Sequence, residues 1–198
     1  MKAIFFDLDG TLLHHTREYR NVLTDTFESV QGTANDEWIE TYNEAFYELF
    51  SRCEPEPIRR AFSRIGDCSD PDALVEVLRE KETEMYQPPE NVHADLERLS
   101  GDYALGVLTN GVPEWQKHKL QTYDLNHHFD MVVVSYEAGA HKPDTAPYRM
   151  AEQRLPADSY AMIGDSETDI EGAQNAGWSA HRYHGEGFEG FPDAIEWK

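Results

Sequence analysis

The chain opens on a continuous apolar run that stops at an acid. Residues 2–8, Lys-Ala-Ile-Phe-Phe-Asp-Leu, have the pattern of a short buried strand, and Asp9-Gly10-Thr11 breaks it. Between residues 19 and 86 the spacing changes. Trp38, Tyr42, Ala45 and Leu49 recur at i, i+4, i+7 and i+11, with Ile39, Phe46 and Phe50 beside them, which is a helical stripe. Val22, Leu23, Phe27 and Val30 predict a shorter helix before it. Asp70-Pro71 reads as an N-cap and first helical residue ahead of Leu74, Val77, Leu78 and Met85. Strand alternation is missing from this stretch, so it predicts an all-helical insertion of three to four helices, its aromatic stripe forming the core.

After Pro88-Pro89 the pattern alternates. Helices are predicted over Val92–Leu99, Pro113–Leu120, Thr145–Arg154 and Glu167–Ala176. Strands are predicted over Tyr103–Leu108, Met131–Ser135, Ser159–Ile163 and Ser179–Tyr183. Strands alternating with helices of this length make βαβ units and a parallel sheet. The fold class is therefore α/β, a doubly wound parallel sheet. The core is formed by residues 1–15 and 88–198, and residues 16–87 are inserted as a helical domain.

Charge narrows the partners. Lys and Arg number 17 against 38 Asp and Glu, a formal net charge of −21. Nucleic-acid binding and anionic membranes are disfavoured, because both need basic side chains. No apolar run approaches the ~18 residues of a membrane span, and the run Ala3–Phe6 is too short for a signal peptide. A charge so far beyond the magnitude of ~2–8 that suffices for solubility suits a surface kept hydrated at high salt; an ordinary acidic protein is the alternative. The two cysteines, Cys53 and Cys68, make no disulfide framework and read as free thiols of a reducing, cytoplasmic compartment.

In a doubly wound sheet, ligands sit at the carboxyl ends of the strands. Those ends carry Asp7-Leu8-Asp9-Gly10-Thr11, then Thr109-Asn110-Gly111, then Lys142 in the loop His141-Lys142-Pro143-Asp144, then Gly164-Asp165-Ser166 with Asp169. Asp7, Asp9 and Asp165 cannot share a pocket ionised without positive charge, since two unit charges 4 Å apart repel by ~4 kcal/mol at an effective dielectric of 20. Lys142 supplies one charge, and a hard divalent cation such as Mg²⁺ is the natural second. Turn amides at Gly10, Thr11, Asn110 and Gly111 can face an anion. Such a set suits a phosphoryl group, with Asp7 as nucleophile and Asp9 as acid and base.

Asp-Leu-Asp-Gly-Thr, Leu-Thr-Asn-Gly, Lys-Pro and Gly-Asp-Ser-x-x-Asp-Ile-x-Gly-Ala, in that order over roughly residues 1–185, resemble the four motifs of the haloacid dehalogenase superfamily, in its phosphatase-type, phosphoglycolate-phosphatase-like branch. The resemblance implies a Rossmann-like sheet of order 5-4-1-2-3 and makes the helical insertion a cap of the first type. It implies Asp7 as nucleophile and Mg²⁺ ligand, and Asp9 as acid/base with its backbone carbonyl on the metal. It implies Asp165 as a metal ligand, with Asp169 and Ser166 supporting the metal. Thr109 and the Asn110 amide would hold phosphoryl oxygens, and Lys142 would pair with Asp7 and the phosphoryl group.

Asp at position 9 favours a phosphatase acting on a small phosphorylated metabolite. The dehalogenases of this superfamily resemble Asp-x-Tyr at that motif and need no metal. A phosphomutase shares the core motifs and stays open, as does a receiver-like module that binds phosphoryl groups without turnover. Phosphoglycolate, sugar phosphates and nucleoside monophosphates are open as substrates, and the chain could be a monomer or a homodimer.

Other features carry less. Gly185-x-Gly187-x-x-Gly190 spells a nucleotide-binding pattern, but no helix follows at once and two glutamates would repel a pyrophosphate, so it reads as a terminal loop. His14-His15, His127-His128 and His181-x-x-His184 read as surface histidines, because adjacent side chains point apart on most backbones and no regular third ligand accompanies them. His14 and His15 follow Thr11 and could line an entrance beneath the cap. Arg52, Arg59, Arg60 and Arg64 are candidates for an acidic substrate tail but read first as solvated arginines.

Overall fold

Strand β1, Lys2–Phe6, lies at the centre of a five-stranded sheet in the computed structural model, which describes residues 1–66 and 70–198. Cys68 lies outside the described residues. The sheet also contains β4 (Ala104–Thr109), β5 (Met131–Val134), β6 (Ser159–Gly164) and β7 (Ser179–Arg182). Its order is β5-β4-β1-β6-β7 with every neighbouring pair parallel. Counted along the chain this is 5-4-1-2-3, as expected. The direction of winding reverses beside β1, which places the ligand crevice at the carboxyl ends of β1 and its neighbours.

The chain divides into two units. One comprises Met1–His14 and Gln87–Lys198, the other His15–Tyr86. The first holds the sheet with α5 (Val92–Ser100), α6 (Pro113–Thr122), a 3-10 turn at Asn126–His128, α7 (Ser135–Ala138), α8 (Ala146–Arg154) and α9 (Glu167–Ala176). The second holds α1 (Tyr19–Gln31), α2 (Asp36–Ser51), α3 (Pro57–Phe62) and α4 (Pro71–Glu84). Two dipeptides, β2 (His14–His15) and β3 (Tyr86–Gln87), pair as a small ribbon where the chain passes from one unit to the other.

The sheet is buried on both faces, which is why its strands read as continuous apolar runs. Phe5 packs on Trp178 at 5.2 Å between ring centroids, and Trp178 meets Tyr148 at 5.1 Å and Tyr160 at 4.8 Å. On the other face Phe6 packs edge-on against Phe188 at 5.3 Å. Phe188 and Tyr183 stack, and Arg98 donates to the carbonyls of Phe188 and Phe191. The Gly185–Gly190 segment is a loop anchored by the buried Phe188, with its glutamates exposed.

In the helical unit, Asn35 and Asp70 cap α2 and α4 by accepting from the amides of Trp38 and Ala73. Ile39, Tyr42, Ala45 and Leu49 are buried along α2, whereas Trp38, Phe46 and Phe50 are half-buried. Phe62 meets Tyr42 at 4.4 Å and Phe27 at 5.6 Å. Among the described residues, no helix is long and apolar enough to cross a membrane.

Three strands end earlier than predicted: β7 stops at Arg182, one residue short, and β1 and β5 stop for reasons visible in their side chains. β1 stops at Phe6 because Leu8 donates its amide to the Asp7 side chain at 2.8 Å and so leaves the ladder. β5 stops at Val134 because Ser135 enters the single turn of α7 and its hydroxyl meets His141 Nδ1 at 2.7 Å.

Candidate active site

Asp7 stands one residue past β1 and is 8% exposed. Its amide still donates to Ile163 of β6 at 2.9 Å, so the sheet fixes its backbone. Its Oδ1 accepts from Leu8 N at 2.8 Å and lies 2.9 Å from Lys142 Nζ. Burial pushes the Asp7 carboxyl up to about 7, even though Lys142 opposes the shift; Asp169 and Asp9 add to it. Burial alone would lower Lys142, but Asp7 and Asp169 together hold its ammonium above the usual lysine value.

Asp169 is fully buried at the start of α9. Its Oδ1 accepts from Lys142 Nζ at 2.5 Å and its Oδ2 from the amide and hydroxyl of Ser166 at 3.0 and 2.7 Å. Asp165 accepts from the Thr11 hydroxyl at 3.1 Å. Ligand oxygens of Asp7, Asp165 and Asp169 all lie within 4.8 Å of one another. Three carboxylates with one ammonium leave negative charge in excess, and an all-oxygen donor set of this kind suits a hard divalent cation. With both Asp169 oxygens already accepting, Asp7 and Asp165 have the greater capacity for an ion.

Two glycines allow this crowding. Gly10 has φ +90°, and a Cβ there would fall 2.4 Å from the Asp165 carboxylate. A Cβ on Gly164 would fall 2.3 Å from the carboxylate carbon of Asp169.

The expected residues also have other partners. Lys142 Nζ also donates to Leu108 O at 2.8 Å. With Asp7 and Asp169 this gives each of its three N–H donors a partner in the structure. The Gly10 amide donates to Leu13 O at 2.8 Å and the Thr11 amide approaches Leu8 O at 3.4 Å. Both bonds lie within the turn, so these residues shape the loop and seat Asp165 instead of aiming their amides at an anion. The Asn110 side chain clasps the Lys142 backbone, donating to its carbonyl at 3.2 Å and accepting from its amide at 2.9 Å. The carboxylate of Asp9 is not one of the three clustered acids.

Asp9 instead meets two residues that strand-end reasoning missed. Gln116 donates from Nε2 to Asp9 Oδ2 and to Thr109 Oγ1, both at 2.8 Å. Lys119 Nζ lies 3.0 Å from Asp9 Oδ1. Gln116 and Lys119 are 2% and 3% exposed on α6, one turn apart. The available signal was the inward face of that helix, where Trp115 and Leu120 alternate with two polar residues. Arg52, Arg59, Arg60 and Arg64, the candidates for a substrate tail, are all paired within the helical unit: Arg52 and Arg64 with Glu48, Arg59 with Asp72, and Arg60 with Glu54.

A doubly wound sheet that gathers three acids around one lysine at its strand ends places this chain among the Rossmann-like α/β proteins with a phosphoryl-type site. The chain belongs to the haloacid dehalogenase-like hydrolases, whose family model matches residues 4–181. It is 44% identical over 77 residues to the phosphoserine phosphatase of Thermus thermophilus, a match covering 37% of this chain and 31% of that protein. The crystal structure of a haloacid dehalogenase (HAD) phosphatase from Thermococcus onnurineus superposes with a TM-score of 0.68 at 25% identity, covering 97% of this chain and 90% of that one. That of a 2-haloacid dehalogenase from Pseudomonas syringae superposes with a TM-score of 0.70 at 26% identity, covering 92% and 86%.

Proposed function

We propose that this protein is a Mg²⁺-dependent phosphomonoester hydrolase that acts on a small phosphorylated metabolite through an aspartyl-phosphate on Asp7. The observation that carries the reading is the Asp7–Lys142 pair at 2.9 Å beside Asp165 and Asp169, with a second acid, Asp9, on the same loop. Asp7 and Asp165, with the Asp9 backbone carbonyl, would hold the magnesium ion, and Asp169 and Ser166 would support it. When bound, the ion lowers repulsion between the acids and the phosphoryl oxygens.

Leu8 N and Lys142 fix Asp7 through Oδ1, which leaves Oδ2 as the attacking oxygen. Asp9, once an oxygen is released from Gln116 or Lys119 and protonated, gives its proton to the leaving alkoxide and then takes one from the water that opens the acyl-phosphate. Thr109 and the Asn110 amide steady the phosphoryl oxygens.

The test is a screen of phosphorylated metabolites with released phosphate as the readout, with and without Mg²⁺. It is run in low and multimolar KCl, because the charge of −21 fits work at high salt. Turnover that needs Mg²⁺ and disappears in Asp7→Asn supports the reading. The likeness to a 2-haloacid dehalogenase calls for a second arm with haloacids. Halide release without phosphate release overturns the proposal.

A further inference from the structure

Three imidazoles meet on the surface of the sheet unit, away from the acids. His93 lies in the first turn of α5, and His127 and His128 lie in the 3-10 turn. The neighbours His127 and His128, expected to point apart, have ring centroids 3.9 Å apart, and His93 supplies the third ligand missing from the local sequence. His93 Nδ1 is 2.9 Å from His128 Nε2, and one nitrogen from each of the three rings lies within 4.8 Å of the others. The three side chains are exposed or half-exposed, so an ion can reach them.

At 2.9 Å one imidazole N–H donates to the other's lone pair, which joins His93 and His128 but not His127. A cation in place of that proton gives one nitrogen of each ring a common partner. His127 Nδ1 also lies 3.3 Å from Asp124 Oδ1, the arrangement in which a carboxylate orients a ligating imidazole and leaves Nε2 for the metal. We propose that His93, His127 and His128 form a second metal site, for a borderline divalent ion such as Zn²⁺, with Asp124 as the orienting partner. Three nitrogen donors select such an ion over the hard Mg²⁺. The bound ion ties the start of α5 to the connection between α6 and β5.

The experiment titrates untagged protein with Zn²⁺ in the presence of excess Mg²⁺, which occupies the acid cluster, and repeats the titration with Co²⁺. One equivalent of Zn²⁺ is expected to bind, raising Tm by roughly 5 °C at a hundredfold excess over Kd. Co²⁺ is expected to show the strong visible band of a four- or five-coordinate ion. His93→Gln and His128→Gln each weaken binding at least about tenfold, and Asp124→Asn about tenfold. His184→Gln, outside the cluster, leaves it unchanged. Zn²⁺ affinity unaffected by His93→Gln and His128→Gln overturns the proposal, as does the pale spectrum of six-coordinate Co²⁺. The readouts are binding, spectrum and Tm, so the result is independent of the phosphatase reading.

Discussion

Lys119 Nζ lies 3.0 Å from Asp9 Oδ1, and only 4% of that lysine side chain is exposed. With Gln116 on Oδ2, the Asp9 carboxylate is held from α6 at both oxygens. The pair fixes where an acid/base on this loop stands relative to Asp7. Lys119→Met keeps the volume and removes the charge. It is expected to lower kcat by about 10- to 100-fold, at or below the lower end of the 10²–10⁴ that general acid–base catalysis contributes, because Asp9 itself stays in place, while KM moves little. Steady-state kinetics with circular dichroism as a fold control checks this; unchanged kcat would remove Lys119 from the account.

Lys142 ties β1, β4 and α9 together through Asp7, Leu108 and Asp169. Lys142→Met leaves two buried carboxylates without their counter-charge, a change that costs about 3–5 kcal/mol. Urea unfolding should show an unfolding free energy lower by that amount, and so a lower midpoint. Lys142→Arg should not restore it, because a planar guanidinium cannot reproduce three converging bonds from one nitrogen.

The Asp7 carboxyl, raised to about 7 by burial, makes metal-free stability depend on pH. The folded state keeps this proton at pH values where the unfolded chain, titrating near 4, has lost it. Stability contributed by Asp7 is therefore full below about pH 4 and is lost as pH rises through about 7, with a limiting slope near 1.4 kcal/mol per pH unit. Thermal melts in EDTA between pH 5 and 8 should show this decline, and Asp7→Asn should flatten it. Equal slopes in the two proteins would contradict the assignment.

Gly10 has φ +90°, and the space its missing Cβ leaves is filled by Asp165. Gly10→Ala must both strain the turn and displace that carboxylate. The Mg²⁺ concentration for half-maximal activity is expected to rise at least about tenfold, a loss of ~1.4 kcal/mol of ion binding. A Mg²⁺ titration of activity reads it directly.

The sheet was legible because its strands are buried on both faces and each ends in polar residues. Glu167–Ala176 emerges as α9 with those bounds, and the strand order came from the family resemblance alone. The ends of β1 and β5 were not legible, because side-chain bonds at Asp7 and Ser135 decide them. The ribbon of β2 and β3 is too short to leave a pattern. At the site, the acids and Lys142 were visible as strand-end residues. Lys119 and Gln116 were not, because a polar residue inside a helix normally marks the solvated face. The histidine trio was missed for a different reason: His93 lies 34 positions before His127, and only the packing of α5 against the 3-10 turn brings them together.

The measurement closest to the central claim is the mass of the peptide containing Asp7 after acid quench during turnover with Mg²⁺ and a phosphorylated substrate. A phosphoryl adduct on Asp7, lost at alkaline pH and absent from Asp7→Asn, is the predicted result. Steady turnover with no adduct at Asp7, or undiminished turnover by Asp7→Asn, would contradict it.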